Sequence, residues 1–394
     1  MSDGEIKDFD FYKPEHFRIR NGCLSRLPGH DYAGKVRIPD GVEIIVDGAF
    51  KDRKLEELVI PDSVTHIGAD AFKDCTALKR VVFGSGVMNI GSGAFENDAA
   101  LELAELPSGL VKIGDDAFKG CSALAEINLP SGLTRLGDYA FMDCAAIKRV
   151  DVPDGVKELG AVFCGCTALM HARIGKGVAK LYDSAFARCS ALERIDVDPE
   201  NTEYKSVDGI VYNKAGTYIF TVPRGISGDV ELAQGIRNIG SDDFCGCAEM
   251  TGVTIPNGVE FIGENAFANC TALERVTISD GVTCLADSAF YGCSRLKHIF
   301  LPKSVTQAGD KAFGACPELE IYLEGDVGAN FVDKTVEHTV STYTPEDDAF
   351  NFHRSSGGFT SHDTVETLTL CWNPNARPVH TFVSREEYER IIKN

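Results

Sequence analysis

A unit of 22 or 23 residues recurs along most of this 394-residue chain and restricts its fold more than any other feature. Consecutive units are marked by a phenylalanine in the same register, with one longer interval of 58 residues that equals 23 plus 35. A single unit has too little apolar area to fold alone, so its copies must stack on one another. The marker residues are Phe50, Phe72, Phe95, Phe118, Phe141, Phe163, Phe186, Phe244, Phe267, Phe290 and Phe313.

Residues 253–278 show the pattern of one unit. Apolar and polar residues alternate from Val253 to Ile255, which predicts a short half-buried strand. Pro256 to Gly258 must end that strand, because proline cannot donate to a sheet and glycine accepts a tight turn. A second short extended run follows from Val259 to Ile262. Around Phe267 the apolar spacing changes to that of one helical or 3₁₀ turn that packs inward.

The consensus of the units is I-P-x-x-V-x-x-I-G-x-x-A-F-x-x-C-x-x-L-x-x-V. It resembles the BspA-like leucine-rich-repeat proteins, a bacterial family of cell-surface and host-associated proteins, over roughly Val36 to Leu323. The resemblance implies a right-handed, β-rich α/β leucine-rich-repeat solenoid that is used for binding. Its parallel sheet would have about twelve short strands joined by short helical or 3₁₀ turns. The family is diverse in its partners, so the resemblance assigns no catalytic or ligand-binding residue.

The pattern divides the chain into three parts. Residues 1–35 are predicted to form an N-terminal cap and residues 36–324 the repeats. The long phenylalanine interval indicates one enlarged, irregular repeat at 198–235, with a β-hairpin around the Asn-Lys-Ala-Gly turn. Residues 325–394 are predicted to form a C-terminal cap of strands and a terminal helix that begins with a capping box at Ser384. The irregular repeat and the C-terminal part could each have a role beyond packing, and the sequence leaves this open.

Nine of the 14 cysteines stand three positions after a marker phenylalanine. Stacked units place these cysteines side by side with parallel Cβ directions, which does not suit a disulfide. We therefore expect a ladder of buried thiols whose S–H groups donate to nearby carbonyls. The two Cys-x-Cys pairs lie three units apart, too far to share one tetrahedral ion. The sequence predicts no metal site and no cofactor. The nine cysteines are Cys75, Cys121, Cys144, Cys166, Cys189, Cys247, Cys270, Cys293 and Cys316.

The 59 acidic and 39 basic side chains leave a formal charge of −20. This charge argues against binding to nucleic acid or to anionic membrane surfaces, because both require basic patches. The first residues lack the basic and apolar regions of a secretion signal, and no apolar run is long enough to insert into a membrane. These features favour a cytoplasmic protein, whereas the family resemblance implies a cell-surface or secreted one.

The outward positions of the repeat strands hold the candidate binding residues. These positions are five and seven residues after the cysteine, and alternation along a strand points them away from the core. Two aromatic residues near the end of the repeats form a candidate hot spot, unless the C-terminal cap covers them. Ion pairing that keeps the sheet soluble is the alternative role for the charged residues. The candidates are Arg149, His171, Arg173, Arg194, Arg275, Phe300 and Tyr322.

The sequence favours a non-catalytic scaffold that binds a protein or peptide through its exposed sheet face. One alternative is a cell-surface adhesin that binds a host protein or a glycan. Another is an enzyme or metal site in the C-terminal segment. No catalytic motif supports that last alternative, so we predict no enzymatic activity. The residues that could build such a site are His338, His353, His362, Cys371 and His380.

Overall fold

The computed structural model describes residues 17–25, 33–324 and 380–391, which form a β-solenoid of about 13 turns with almost no helix. Most turns, or rungs, contribute a longer strand, a two-residue strand and the turn that carries the marker phenylalanine. A rung therefore has three faces, which we name the long-strand face, the short-strand face and the turn face. The predicted leucine-rich-repeat solenoid with parallel strands is confirmed.

The long-strand face consists of three parallel sheets in succession, rather than one unbroken sheet. Equivalent residues of successive rungs lie side by side, because the repeat length and the strand register agree. Numbered in chain order with all other strands, the first sheet is β3 (Ala33–Arg37), β5 (Lys54–Val59), β7 (Arg80–Val82) and β9 (Leu103–Glu105). The second is β12 (Arg149–Val152), β14 (His171–Ile174) and β16 (Arg194–Val197). The third is β20 (Gly228–Glu231), β22 (Met250–Thr254), β24 (Arg275–Thr277), β26 (His298–Leu301), β28 (Glu320–Glu324) and β29 (His380–Val383).

The short-strand face also has three sheets, built from the second extended run of each repeat. An antiparallel hairpin of β1 and β2 begins the first sheet, and the other strands are parallel. That sheet contains β1 (Arg18–Arg20), β2 (Cys23–Ser25), β4 (Ile44–Ile45), β6 (His66–Ile67), β8 (Asn89–Ile90), β10 (Lys112–Ile113) and β11 (Arg135–Leu136). The others contain β13 (Glu158–Leu159) and β15 (Lys180–Leu181), and β21 (Asn238–Ile239), β23 (Phe261–Ile262), β25 (Cys284–Leu285) and β27 (Gln307–Ala308).

The glycine after most short strands is required by the close approach of neighbouring rungs. A Cβ added at Gly91 would lie 2.6 Å from the carbonyl carbon of Gly68 in the preceding rung. Backbone atoms on both sides cannot move apart without breaking the ladder of hydrogen bonds, such as Gly91 N–H to the Ile67 carbonyl at 2.8 Å. The I-G step of the consensus is thus a packing requirement.

The marker phenylalanines form two continuous ring stacks in the core. From Phe50 to Phe186 successive ring centroids are 5.1–5.8 Å apart, and from Phe244 to Phe313 they are 4.9–5.6 Å apart. The planes of neighbouring rings differ by at most 17°. This near-parallel stacking follows from the repeat, since each ring has the same backbone position and rotamer as the next.

The turn face is made of turns in nearly every rung, not of the helical segments that the spacing predicts. The residue two after the phenylalanine adopts the left-handed conformation in every repeat, and the residue two before it does so in all repeats except those of Phe163 and Phe186. Left-handed residues interrupt a helix. Only Asp183–Phe186 forms a 3₁₀ helix among the described repeats. In this repeat Ser184, two residues before the phenylalanine, does not have a positive φ. The left-handed positions are Asp52, Asp70, Asp74, Asn97, Asp116, Tyr139, Asp143, Arg188, Asp242, Asn265, Asn269, Ser288, Lys311 and Ala315, besides glycines.

Asparagine, aspartate and glycine dominate these positions because they tolerate positive φ, and Tyr139 is an exception with φ of 58°. We expect Tyr139→Asn to raise the free energy of unfolding by about 0.5–1 kcal/mol through relief of this strain. Tyr291→Asn is the matched control, because Tyr291 has similar exposure and an ordinary φ. Urea denaturation of both variants measures the difference, and an equal change in the two would contradict this explanation.

The thiol ladder is present as expected. Each of the nine cysteines donates its S–H to the carbonyl of a residue in the preceding rung, and for eight of them this residue is the marker phenylalanine, at 3.1–3.2 Å. Cys247 differs, with a Sγ–O distance of 3.8 Å to Pro223. All described cysteines are free thiols. Burial raises the pKa of Cys189 to about 12, so its proton stays available for donation.

Asp98 occupies a ladder position where the other rungs have cysteine. Its side chain is fully buried. One carboxyl oxygen, Oδ1, accepts a hydrogen bond of 2.7 Å from the backbone N–H of Cys75. The other, Oδ2, has no hydrogen-bond partner in the described residues. Burial raises the pKa of Asp98 to about 9, so its carboxyl group is protonated at neutral pH.

The enlarged rung contains three antiparallel strands, β17 (Tyr204–Val207), β18 (Ile210–Asn213) and β19 (Ile219–Thr221). The predicted hairpin around the Asn-Lys-Ala-Gly turn is the one between β18 and β19. A further hairpin, between β17 and β18, was not predicted. It turns at Asp208 and Gly209, both with positive φ. Asp-Gly is a strong hairpin signal and could have revealed it.

The predicted terminal helix is α1 (Arg385–Ile391), which follows β29. Strand β29 pairs in parallel with β28, so it continues the long-strand face. The predicted domain boundaries, 1–35, 36–324 and 325–394, remain predictions, since much of both terminal parts lies outside the described residues.

Candidate functional site

The second sheet of the long-strand face brings four of the predicted binding residues together. In the register of β12, β14 and β16, Arg149 lies beside His171 and His171 beside Arg194. One row further along the strands, Arg173 lies between two aspartates. We call this surface the mixed-charge face, which consists of Arg149, Asp151, His171, Arg173, Arg194 and Asp196.

Two arginines of the mixed-charge face pair with an aspartate on their own strand. The shortest distance from a guanidinium nitrogen to a carboxylate oxygen is 3.2 Å for Arg149 and Asp151, and 2.6 Å for Arg194 and Asp196. Because residues i and i+2 of a strand point to the same side, both pairs lie on the surface. The hydrogen bond with Asp196 raises the pKa of Arg194.

The other two basic residues turn to carboxylates outside their rows. Arg173 Nη2 lies 2.5 Å from Asp198 Oδ2, just beyond the end of β16. His171 Nε2 lies 3.9 Å from Glu193 Oε2. Three arginines therefore face four carboxylates, so the surface is a pattern of alternating charges.

The two ion pairs within single strands are open to solvent, whereas Asp198, the partner of Arg173, is only 16% exposed. The side chains of Arg149 and Asp151 are 65% and 54% exposed. Exposed pairs contribute about 0–1 kcal/mol each to stability, because water screens them. Such charges can exchange their partners with little loss of stability. This property suits a surface that binds a partner, and equally a surface that only keeps the protein soluble.

Arg275 lies on the third sheet, away from the mixed-charge face. Its Nη2 lies 2.5 Å from Asp229 Oδ1, across the intervening strand β22. Gly252 makes this contact possible, because a Cβ there would lie 2.5 Å from the same carboxylate oxygen. The hydrogen bond from Arg275, followed by that from Thr251, lowers the pKa of Asp229.

The two aromatic candidates, for which the sequence left open an exposed hot spot or coverage by the C-terminal cap, are not exposed. Phe300 and Tyr322 are 3% and 5% exposed. The ring of Tyr388 in α1 lies over both, with centroid distances of 5.3 and 5.2 Å. Arg385 holds the helix in place through its ion pair of 3.3 Å with Asp280. The alternative, coverage by the C-terminal segment, therefore agrees with the structure.

A groove of about 560 Å³ on the short-strand face was not found from the sequence. Ile44 and Lys112 line its ends, and His66 and Asn89 lie between them. His66 Nε2 is 3.0 Å from Asn89 Nδ2, and its Nδ1 is 2.8 Å from the hydroxyl of Thr65. The only sequence signal for this groove was the column of outward positions on the short strands. Strand periodicity does not predict a groove, because its volume depends on the side-chain rotamers.

No group of three or more His, Cys, Asp or Glu side chains in the described residues is arranged to hold a metal ion. The predicted alternative site falls outside them, since 325–379 are not described and only the strand position of His380 is. Over the same described ranges, the structure contains no helix of the length and hydropathy needed to cross a membrane.

Comparison with known sequences and structures gives a consistent result. The profile of the BspA type leucine rich repeat region matches residues 43–162, 89–207 and 215–328. No curated protein matches the sequence significantly.

Three solved structures have a similar fold. A leucine-rich repeat protein from Bacteroides ovatus is 24% identical, with a TM-score of 0.59 over 78% of this chain and 86% of that one. A leucine rich cell surface protein from Faecalibacterium prausnitzii is 27% identical, with a TM-score of 0.53 over 79% and 88%. The pneumococcal vaccine antigen PcpA is 20% identical, with a TM-score of 0.50 over 82% and 83%.

Proposed function

The chain belongs to the BspA-type leucine-rich-repeat family, and we propose that it is a non-catalytic scaffold that binds a protein or peptide through the mixed-charge face. Proteins of this family are repeat scaffolds that generally bind proteins and are typically non-catalytic. The observation that carries the proposal is the set of exposed charges on β12, β14 and β16, which includes the solvent-exposed pairs Arg149–Asp151 and Arg194–Asp196.

The geometry indicates what such a partner would present. Neighbouring strands are about 4.8 Å apart, so charges of the mixed-charge face repeat at that interval along the solenoid. Arg149 and Arg194 flank His171 in one row, and Asp151 and Asp196 flank Arg173 in the next. A partner segment with alternating acidic and basic side chains can match both rows. Electrostatic complementarity of this kind contributes specificity and association rate more than affinity.

Charge reversal tests the proposal. A phage-displayed peptide library selected on the wild-type protein supplies the probes, and selected peptides are then titrated against Arg149→Glu/Arg173→Glu/Arg194→Glu. We expect at least a tenfold loss of affinity, because each reversal places like charges opposite the partner. Far-UV circular dichroism verifies that the variant keeps its sheet content.

The matched control reverses three cations of the short-strand face, Lys112→Glu/Arg135→Glu/Lys180→Glu, which changes the net charge by the same amount. Peptides that recognise the mixed-charge face should bind this variant as they bind the wild type. Equal binding to the wild type and to both variants would refute the proposed site.

A second candidate function is that of a cell-surface adhesin for a host protein or glycan. The likeness to the cell surface protein of Faecalibacterium prausnitzii favours it. Against the glycan form, Phe300 and Tyr322 lie beneath Tyr388 and offer no open aromatic platform. A glycan array probed with the wild-type protein and with the charge-reversal variant separates the two candidates. Glycan binding by both proteins would favour the glycan-binding adhesin.

A further inference from the structure

The apolar core is divided at the enlarged rung, residues 198–235. One cluster of buried side chains extends from Phe17 to Tyr204, with Val211 as its last member. A second cluster begins at Ile210 and extends to Leu323. The phenylalanine stack likewise ends at one edge of the enlarged rung and starts again beyond it.

On the turn face, a side chain replaces the usual backbone link between rungs. In regular rungs a backbone N–H binds the carbonyl of the residue after the next phenylalanine, as Asn97 does with Lys119 at 2.7 Å. At the enlarged rung the guanidinium of Arg224 donates to the equivalent carbonyl, that of Cys245. The neighbouring Asp243, which is partly buried and accepts a hydrogen bond of 2.6 Å from the N–H of Gly240, stands where most rungs have a buried alanine.

Two tyrosine hydroxyls of the enlarged rung accept hydrogen bonds from backbone N–H groups, one on the short-strand face and one just after β20. The hydroxyl of Tyr204 accepts a hydrogen bond of 3.1 Å from the N–H of Leu181. That of Tyr212 accepts one of 3.2 Å from the N–H of Ala233. Tyr204 and Leu181 belong to the first apolar cluster, whereas Tyr212 and Ala233 belong to the second. Each tyrosine therefore completes one side of the junction.

The long-strand face shows the same division. The second sheet ends at β16 and the third begins at β20, with the two hairpins between them. The N–H of Val197 binds the hydroxyl of Ser206 at 2.9 Å, again a side chain in place of a backbone partner. Side chains thus bind backbone groups at this rung on all three faces, and the backbone bonds that remain include Ile195 N–H to the Gly209 carbonyl at 2.9 Å and Gly225 N–H to the Leu192 carbonyl at 2.7 Å.

From these observations we infer that the solenoid consists of two separately cooperative units, residues 33–197 and 228–323, which are separated by the two hairpins and open independently of each other. In repeat proteins the free energy of the interface between neighbours determines how far cooperativity extends. At the enlarged rung the apolar core is divided and side chains make part of the links, so the interface stabilises its neighbours less and limits cooperativity. The mixed-charge face lies in the first unit and the Arg275–Asp229 pair in the second, so the enlarged rung also separates two parts of the long-strand face.

Two matched variants of the full-length chain test the inference. Tyr204→Phe and Tyr212→Phe each remove one buried hydroxyl and leave one N–H without its acceptor. A lost acceptor of this kind is expected to speed amide exchange through unit opening by about tenfold. Native-state hydrogen exchange with mass spectrometry, at low urea concentrations, reads the two units separately.

We expect Tyr204→Phe to accelerate exchange only in peptides from 36–197, and Tyr212→Phe only in peptides from 236–323. The wild-type protein should show two opening reactions with different dependence on urea. Acceleration of both halves by either variant would overturn the inference, as would one common opening reaction in the wild type.

Discussion

Asp98→Asn is expected to stabilise the protein, and the gain should grow as the pH rises. An asparagine amide can accept from the N–H of Cys75 as Asp98 does at 2.7 Å. At any pH its NH₂ group can also donate a hydrogen bond towards the preceding rung, as the ladder thiols do. The equivalent acceptor in this rung is the carbonyl of Phe72, since Cys121 donates to Phe95 in the next one.

The sign follows from the proton that Asp98 holds in the folded state. Burial raises the pKa of this carboxyl group to about 9, whereas an unfolded aspartate titrates at about 3.9. Between these values the folded state binds more protons than the unfolded state, so stability falls as the pH rises. The slope is about 1.4 kcal/mol per pH unit, which gives a change of about 4 kcal/mol between pH 5 and pH 8. Above about pH 9 the loss is complete.

Urea denaturation of the wild type and Asp98→Asn at pH 5, 6, 7 and 8 measures the effect as the difference between their free energies of unfolding. Asp40→Asn serves as the control, because Asp40 is exposed in the first regular rung and should show no such trend. A difference that stays constant with pH would mean that Asp98 is not protonated in the folded protein.

Phe118→Ala is expected to cost about 4 kcal/mol of unfolding free energy, within the range for buried aromatic residues. The ring of Phe118 is fully buried and stacks on both sides, at 5.2 and 5.3 Å from its neighbours. Its removal leaves a cavity between two rungs that cannot close, because the backbone ladder holds the rungs apart.

Phe313→Ala is the matched comparison at the end of the stack. Phe313 is only partly buried, and among the described residues it stacks on Phe290 alone, at 5.6 Å. We expect less than half of the cost found for Phe118→Ala. Chemical denaturation of both variants tests this, and equal losses would show that stacking within the column does not determine the cost.

Most of the fold could be predicted because the important contacts join equivalent residues of neighbouring rungs. A phenylalanine 23 residues after another must lie above it once the rungs stack, as Phe95 lies above Phe72. The same reasoning predicted that the thiols donate to nearby carbonyls, since the marker phenylalanine of the preceding rung lies 25 or 26 residues before eight of the nine cysteines, as Phe118 does for Cys144. The turn conformation was harder, because positive φ at two positions replaces a helix with turns.

The candidate site was only partly predictable. Alternation placed Arg149, His171 and Arg194 in one row, and the register agrees. It could not choose the ion partners, because Arg173 reaches Asp198 beyond the strand instead of an aspartate of its own row. Side-chain rotamers make that choice, and strand periodicity contains no information about them.

What the sequence alone determined is the solenoid, with its inward columns and its outward rows, because a repeated pattern needs only one rule for stacking. The tertiary structure decided what happens where the pattern ends. Tyr388 covers Phe300 although 88 residues separate them, and the burial of Asp98 raises its pKa although the residue type suggests a surface charge. Both depend on the surroundings that distant parts of the chain create, and local spacing does not encode these.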